Sequence, residues 1–229
     1  ITLYLKVKNM DAKMKGMIMA GMLVLSLVLG AMAIFSNEWL SEEEKDEDGK
    51  TVSTDNTGLS NKMLVMDAGD SDTCKAMAPM YEEMFKDATV VCDGAEMTLT
   101  IGLSDLCESM NDGDAESDEV DDCEAAASAG TMGQIGMWGG VVFALLGTLM
   151  LVLPMAGVDA MDAIPEMGQK VISWGVGGLM LLGIAVWYIM LPDGDSSAAM
   201  GVWMAVGAAV LGLAAAAMDQ FMEAEAAAE

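Results

Sequence analysis

The sequence has no arginine and no histidine, and its 10 basic residues, all lysine, stand against 36 Asp and Glu. Without imidazole it lacks the usual general base near neutral pH and the usual nitrogen ligand for a metal. Without guanidinium it lacks the bidentate clamp for phosphate. Carboxylates alone, with no supporting spacing, do not make a catalytic constellation, so the chain reads as a non-enzyme with no cofactor and no bound metal. The deficit of positive charge leaves a net charge of −26. That charge repels nucleic acid and anionic lipid headgroups and removes both as expected partners.

Yet 54% of the residues are hydrophobic. A single soluble domain does not combine such apolarity with such charge, so the two kinds of residue must be segregated along the chain. Four stretches, 16–36, 135–158, 171–191 and 198–218, contain no Asp, Glu or Lys. About 20 residues rising 1.5 Å each cross the roughly 30 Å hydrocarbon layer of a bilayer, so each stretch reads as a transmembrane helix. Buried helices of a soluble bundle would each need a charged face, which none of the four has. The first stretch exceeds the roughly 7 to 15 apolar residues of a signal peptide and is read as a span. Because the chain opens on Ile1, its natural start is expected to lie upstream or to have been processed.

Orientation follows from the lysines. Lys6, Lys8, Lys13 and Lys15 precede the first span and Lys170 closes the loop after the second, which predicts a cytoplasmic N-terminus (1–15) and a cytoplasmic loop (159–170). An acidic tail (219–229) then also lies inside, a short loop (192–197) lies outside, and a long segment (37–134) lies outside, in a plasma-membrane protein. Residues 37–132 hold 26 acidic residues against 5 lysines, a net −21 of the total −26. All four cysteines, Cys74, Cys92, Cys107 and Cys123, fall in this segment, an arrangement that reads as two disulfides. Three pairings exist, and sequential pairing is the expectation, each bridge closing a short loop at about 3 kcal/mol in the chain-entropy model. Zinc ligation would need closer CxxC pairs than these spacings supply.

Within the long segment, runs 88–92 and 95–101 flank Asp93-Gly94, a hairpin signal, and 62–66 is a third strand able to pair with them. Residues 75–87 predict a short helix with Met77, Met80, Tyr81 and Met84 on one face, weakened near its start by Pro79. The acidic runs 41–49 and 111–122 read as solvated, mobile connections. Asp112, Asp114, Glu116 and Asp118 alternate like the start of a calcium loop. Ser117 and Cys123 stand where such a loop needs Gly and Glu, which leaves only weak surface cation binding. The methionines at 63, 66, 77, 80 and 84 suggest thioether ligands for copper, but 17 of the 25 lie outside 37–132, mostly in the spans, and read as substitutes for Leu.

The spans offer few polar groups, among them Ser26, Thr148, Ser173 and Tyr188, and no charge of the kind that pumps and proton relays use. They are rich in glycine: Gly136, Gly140 and Gly147 in the second, Gly175, Gly178 and Gly183 in the third, Gly201, Gly207 and Gly212 in the fourth. Such residues let helices approach closely, which predicts a four-helix bundle, with Pro154 kinking the second helix. Trp138, Trp174, Trp187 and Trp203 sit near span ends and read as interface anchors.

Four spans with internal termini, a large first outer loop, Trp39 three residues past the first span, the run Gly102-Leu103-Ser104-Asp105-Leu106-Cys107 and then Cys123 resemble the claudin and peripheral myelin protein superfamily, whose pattern is Trp, GLWxxC and Cys. Ser104 replaces the motif Trp, the 16-residue cysteine spacing is longer than usual, and the Arg expected before the second span is absent. The extra pair Cys74 and Cys92 and the insertion before Gly102 bring the loop closer in size to the glutamate-receptor regulatory relatives. The resemblance implies a left-handed bundle topped by an antiparallel sheet, the Cys107–Cys123 disulfide pinning that sheet, and Trp39 packing where the sheet meets the membrane. Members act by lateral association, as adhesion or barrier strands or as accessory channel subunits. The short loop at 192–197 weighs against a junctional role.

The expected fold is an all-α transmembrane four-helix bundle with a small disulfide-stapled, β-rich extracellular domain inserted between helices 1 and 2. The expected function is a structural, interaction or accessory subunit in the bilayer, with itself or another membrane complex as partner. An oligomeric cation-selective channel or channel-regulatory subunit is the alternative.

Overall fold

A computed structural model describes residues 12–46, 48–85, 87–111, 116–155, 157, 164–192 and 196–226. Among these residues the chain order is α1 (Ala12–Phe35), β1 (Leu40–Lys45), β2 (Thr51–Thr57), β3 (Asn61–Asp67), α2 (Ser71–Met84), β4 (Thr89–Asp93), β5 (Glu96–Gly102), α3 (Leu103–Asn111), α4 (Ser117–Met155), α5 (Glu166–Met190), β6 (Ser197–Ala198) and α6 (Met200–Ala226). They form two compact units. A helical unit takes in Ile1–Met32, Gly136–Leu182 and Met204–Glu229; a sheet unit takes in Ala33–Ile135 and Gly183–Trp203.

Among the described residues, four helices are long and apolar enough to cross a membrane: Met14–Phe35, Ser117–Pro154, Glu166–Met190 and Met200–Gln220. α4 begins at Ser117, far before the expected 135. Alanine is the best helix former, and the run Glu124-Ala125-Ala126-Ala127 extends the helix upstream, with Asp118 and Glu119 complementing its N-terminal dipole. The backbone N–H groups of Glu119 and Val120 donate to Glu116 O, which closes the first turn. Half of the run expected to be a mobile connection is therefore helix. Pro154 is the penultimate residue of α4 and ends it rather than kinking it; Gly157, with φ of 80°, donates back to Pro154 O.

The sheet is antiparallel throughout, in the order β4-β5-β3-β2-β1-β6. β5 alternates, burying Met97, Leu99 and Ile101 while Thr98 and Thr100 face the other way. Its register with β3 sets Leu64 against Leu99 and Met66 against Met97 on the buried side. The hairpin expected at Asp93-Gly94 is present, with Asp93 opposite Glu96. Gly94, with φ of 64°, is the first of its two central residues, where a type II′ turn favours glycine.

The acidic run after Trp39 is not a mobile connection. Leu40–Lys45 pairs along β2, so its backbone is satisfied while Glu43 and Glu44 stay in solvent. Charge of this kind on a strand beside the sheet edge discourages further strand addition. β6 joins the last residue of the short loop expected at 192–197 to the first of the span expected at 198–218, and it sets Leu40 opposite Ala198 and Ser41 opposite Ser197.

Candidate functional site

The sheet unit is organised around Trp39, which is fully buried. Its backbone N–H donates to Thr57 O, its carbonyl accepts from Ala199 N, and its indole Nε1 donates to Ala33 O at 2.7 Å. Its ring meets Trp187 edge-on, with centroids 4.9 Å apart and planes at 72°, a favourable aromatic geometry. Trp187 is thus a core residue rather than the interface anchor expected from its place near a span end; Trp138, Trp174 and Trp203 remain exposed. Gly201 adjoins this site. A Cβ there would lie 2.6 Å from Trp39 Cδ1, so the glycine lets the first turn of α6 pass over the indole rather than serving contact between spans.

Both disulfides follow the sequential pairing. Cys74–Cys92 ties α2 to β4, and Cys107–Cys123 ties α3 to the second turn of α4. The second bridge departs from what the claudin resemblance implies, because neither Cys107 nor Cys123 lies in a strand. It joins two helices, and the cysteine that pins the sheet is Cys92. Gly102 ends β5 and Leu103, buried, opens α3, with Leu103 N donating to Ser60 O.

α2 starts at Ser71, earlier than expected, because Asp70 caps it. The Asp70 carboxylate accepts from Thr73 N at 2.8 Å, from the Thr73 hydroxyl at 3.0 Å and from Asp72 N at 2.9 Å. These bonds, the Thr73 backbone N–H first, hold its carboxyl below the usual range. The buried stripe of α2 is Cys74 flanked by half-buried Met77, Ala78 and Tyr81, while Met80 and Met84 are exposed. The expected four-residue face therefore splits, because Cys74 and its bridge set the helix rotation. Met63 and Met66, three apart on β3, lie on opposite sides of the sheet and do not converge as ligands.

Of the alternating acids, Asp112 and Asp114 lie outside the described residues. Glu116 and Asp118 are exposed, and Glu116 serves the start of α4. Among the described residues no group of three or more His, Cys, Asp or Glu is placed to hold a metal. Lys62 reaches Asp55 at 2.7 Å, half-exposed across β2 and β3.

In the helical unit, the glycines sort by what a methyl group would meet. At Gly140 it would strike Met180, and at Gly212 it would lie 2.6 Å from Val176 Cγ1. At Gly175 it would meet the Phe143 ring from 3.1 Å, and at Gly147 it would meet Leu23 Cδ1 at 3.3 Å. Gly207 has ordinary room, 3.7 Å to Leu29 Cδ1, and Gly178 faces open space, so neither is needed for packing inside this chain. Gly136 is half-buried and Gly183 buried. Two glycines not singled out by composition also have no room for a methyl group: Gly177, where a Cβ would strike the Ala209 carbonyl oxygen, and Gly30, where it would lie 2.9 Å from Met180 Cε. Ser26, fully buried, donates to Ala208 O at 2.7 Å and so joins α1 to α6. The centre of this unit is Leu23, Ala144, Val176 and Ala215.

No family model matches the chain, and no curated protein matches it.

Proposed function

We propose that the chain is a non-enzymatic, multi-pass membrane protein of claudin-like layout that acts as a structural or accessory subunit, associating through its helices with another copy or another membrane protein. One observation carries the reading: β1 to β5, between α1 and α4, and β6, between α5 and α6, share one sheet. If α1, α4, α5 and α6 all span a bilayer, both connections must then lie on one side and both termini on the other. Two disulfides in the sheet unit favour the oxidising, outer side. The exposed helix faces, which carry Leu25, Val28, Leu145, Leu149 and Leu182, suit lipid or a neighbouring span.

The test is cross-linking and mass measurement of the full chain in native-lipid nanodiscs. The expected result is a discrete oligomer or a stoichiometric complex with a second membrane protein. A lone monomer at physiological density would overturn the proposal.

A further inference from the structure

The two edges of the sheet are not protected alike. Past the short stretch that β6 covers, the β1 edge carries Glu42, Glu43, Glu44 and Lys45, charges of the kind that keep other strands away. β4, the strand at the opposite edge, reads Thr89-Val90-Val91-Cys92 before it meets a charge at Asp93. Only half of its backbone is used. The two-residue turn makes Asp93 and Glu96 a hydrogen-bonded pair, so Val91 and Thr89 also turn their N–H and C=O groups toward β5. Val90 and Cys92 turn theirs outward, where no backbone group of the described residues meets them. Between them the Val91 side chain stands 56% exposed.

A second β4, antiparallel about a two-fold axis at Val91, fits this edge. Val90 of each copy then exchanges both backbone hydrogen bonds with Cys92 of the other, and Val91 meets Val91 at the close, non-hydrogen-bonded spacing. The register also sorts the charges: each Asp93 falls opposite the hydroxyl of Thr89 of the other copy rather than opposite a carboxylate.

α2 supplies an independent match. It leads from β3 across β5 to β4, a crossover between parallel strands and hence right-handed, and the bridge to Cys92 turns Cys74 toward the sheet. At about 100° per residue, Lys75 and Glu82 then share the flank beside the open edge, while Met80 and Met84 lie on the flank toward β3. Lys75 and Glu82 are both exposed. Lys45, Lys50 and Lys62 each hold a carboxylate, whereas Lys75 has none among the described residues. An antiparallel copy brings the Lys75 end of one α2 toward the Glu82 end of the other, on both sides of the axis. A foreign strand could take the same backbone bonds, but a copy of this chain carries the matching charges with it.

We propose that β4 is a self-association edge, through which two copies of this chain join their sheets about a two-fold axis at Val91, with Lys75 and Glu82 paired across it. The interface lies wholly in the sheet unit and does not rest on association through the helices.

The test is oxidative cross-linking of the full chain in its native membrane, read on non-reducing gels with the bridge located by peptide mass mapping. Val91→Cys should give a dimer linked through residue 91, because cross-strand neighbours at this spacing are within bridging distance. Thr89→Cys should stay monomeric, since the two copies of residue 89 lie about 13 Å apart along the strands. In the Val91→Cys background, Lys75→Glu should slow cross-linking about fivefold or more, and adding Glu82→Lys should restore it. A Val91→Cys chain that stays monomeric while both native disulfides form, equal cross-linking at 89 and 91, capture of a different protein in place of a copy, or no recovery in the charge swap would each overturn the proposal. A dimer held by the helices alone would have the mass of two chains and no bridge at 91, so failure here is distinct from failure of lateral association.

Discussion

The two units differ in which side chains they mostly enclose. In the helical unit most of the fully enclosed residues are small, among them Ala144, Ala205, Ala208, Ala209 and Ser26 beside Met137, Val176 and Met180, while bulky Leu25, Leu182 and Val210 are 55%, 59% and 56% exposed. In the sheet unit the enclosed residues include the large Trp39, Leu59, Met97 and Trp187, and the glutamates and aspartates of β1 and of the first turns of α4 are exposed. Much of the apolar surface it displays, among it Phe35, Ile135, Ile189 and Trp203, lies on the long helices. A unit that hides mostly alanine and displays leucine gains little from burial in water. The same arrangement is what close helix contact in lipid selects, where apolar surface has no drive to hide and backbone proximity supplies the attraction. The sheet unit follows the ordinary rule that water drives large apolar side chains inward.

The comparison breaks most sharply at the disulfides, because only the sheet unit has them. Replacing either pair, Cys74 with Cys92 or Cys107 with Cys123, by serine should cost that unit about 3 kcal/mol. Amide exchange should show lost protection in β4 and β5 or in α3, while the helical unit keeps its protection.

A smaller effect tests the helical unit. Gly177→Ala drives a methyl group against the Ala209 carbonyl and should cost about 1 to 3 kcal/mol, whereas Gly178→Ala, one residue on, should stay within about 0.5 kcal/mol of the parent. Reversible unfolding in mixed micelles measures both; equal costs would show that the two helices do not meet as described. Next, Ser26→Ala removes the bond to Ala208 O and should cost about 0.6 to 1 kcal/mol in the same assay.

The smallest effect is a pH dependence confined to the sheet unit. Asp70 is more acidic folded than unfolded, so its capping contribution is full well above its ordinary value of 3.8 and is lost as pH falls through the lower, folded value. Protection of the first turn of α2 should fall in acid. Asp70→Asn, which still caps, should remove that acid dependence.

Much of this was legible in the sequence. The four apolar stretches, the Asp93-Gly94 hairpin and the sequential disulfides follow from local composition and spacing, and they appear as expected. The start of α4 was obscured because its first two turns are acidic and contact water, so hydropathy sees only the later part. β1 was obscured for the same reason: Leu40–Lys45 owes its strand to pairing with β2, not to its own glutamates. β6 has two residues and no local signal at all. Glycine content announced close helix contacts but not which glycines make them. Gly177 and Gly178 are indistinguishable in composition, and only the rotation of α5 separates them.

The pairing of Ser197 and Ala198 with β1 also orders events in time. The first five strands are synthesised before α4 and α5, yet the neighbour of Leu40 and Ser41 is made only after both, just ahead of α6. Until Ser197 and Ala198 have been made, the growing chain exposes an unmatched sheet edge at Leu40 and Ser41, beside Trp39. A product truncated before residue 197 would carry that open edge permanently.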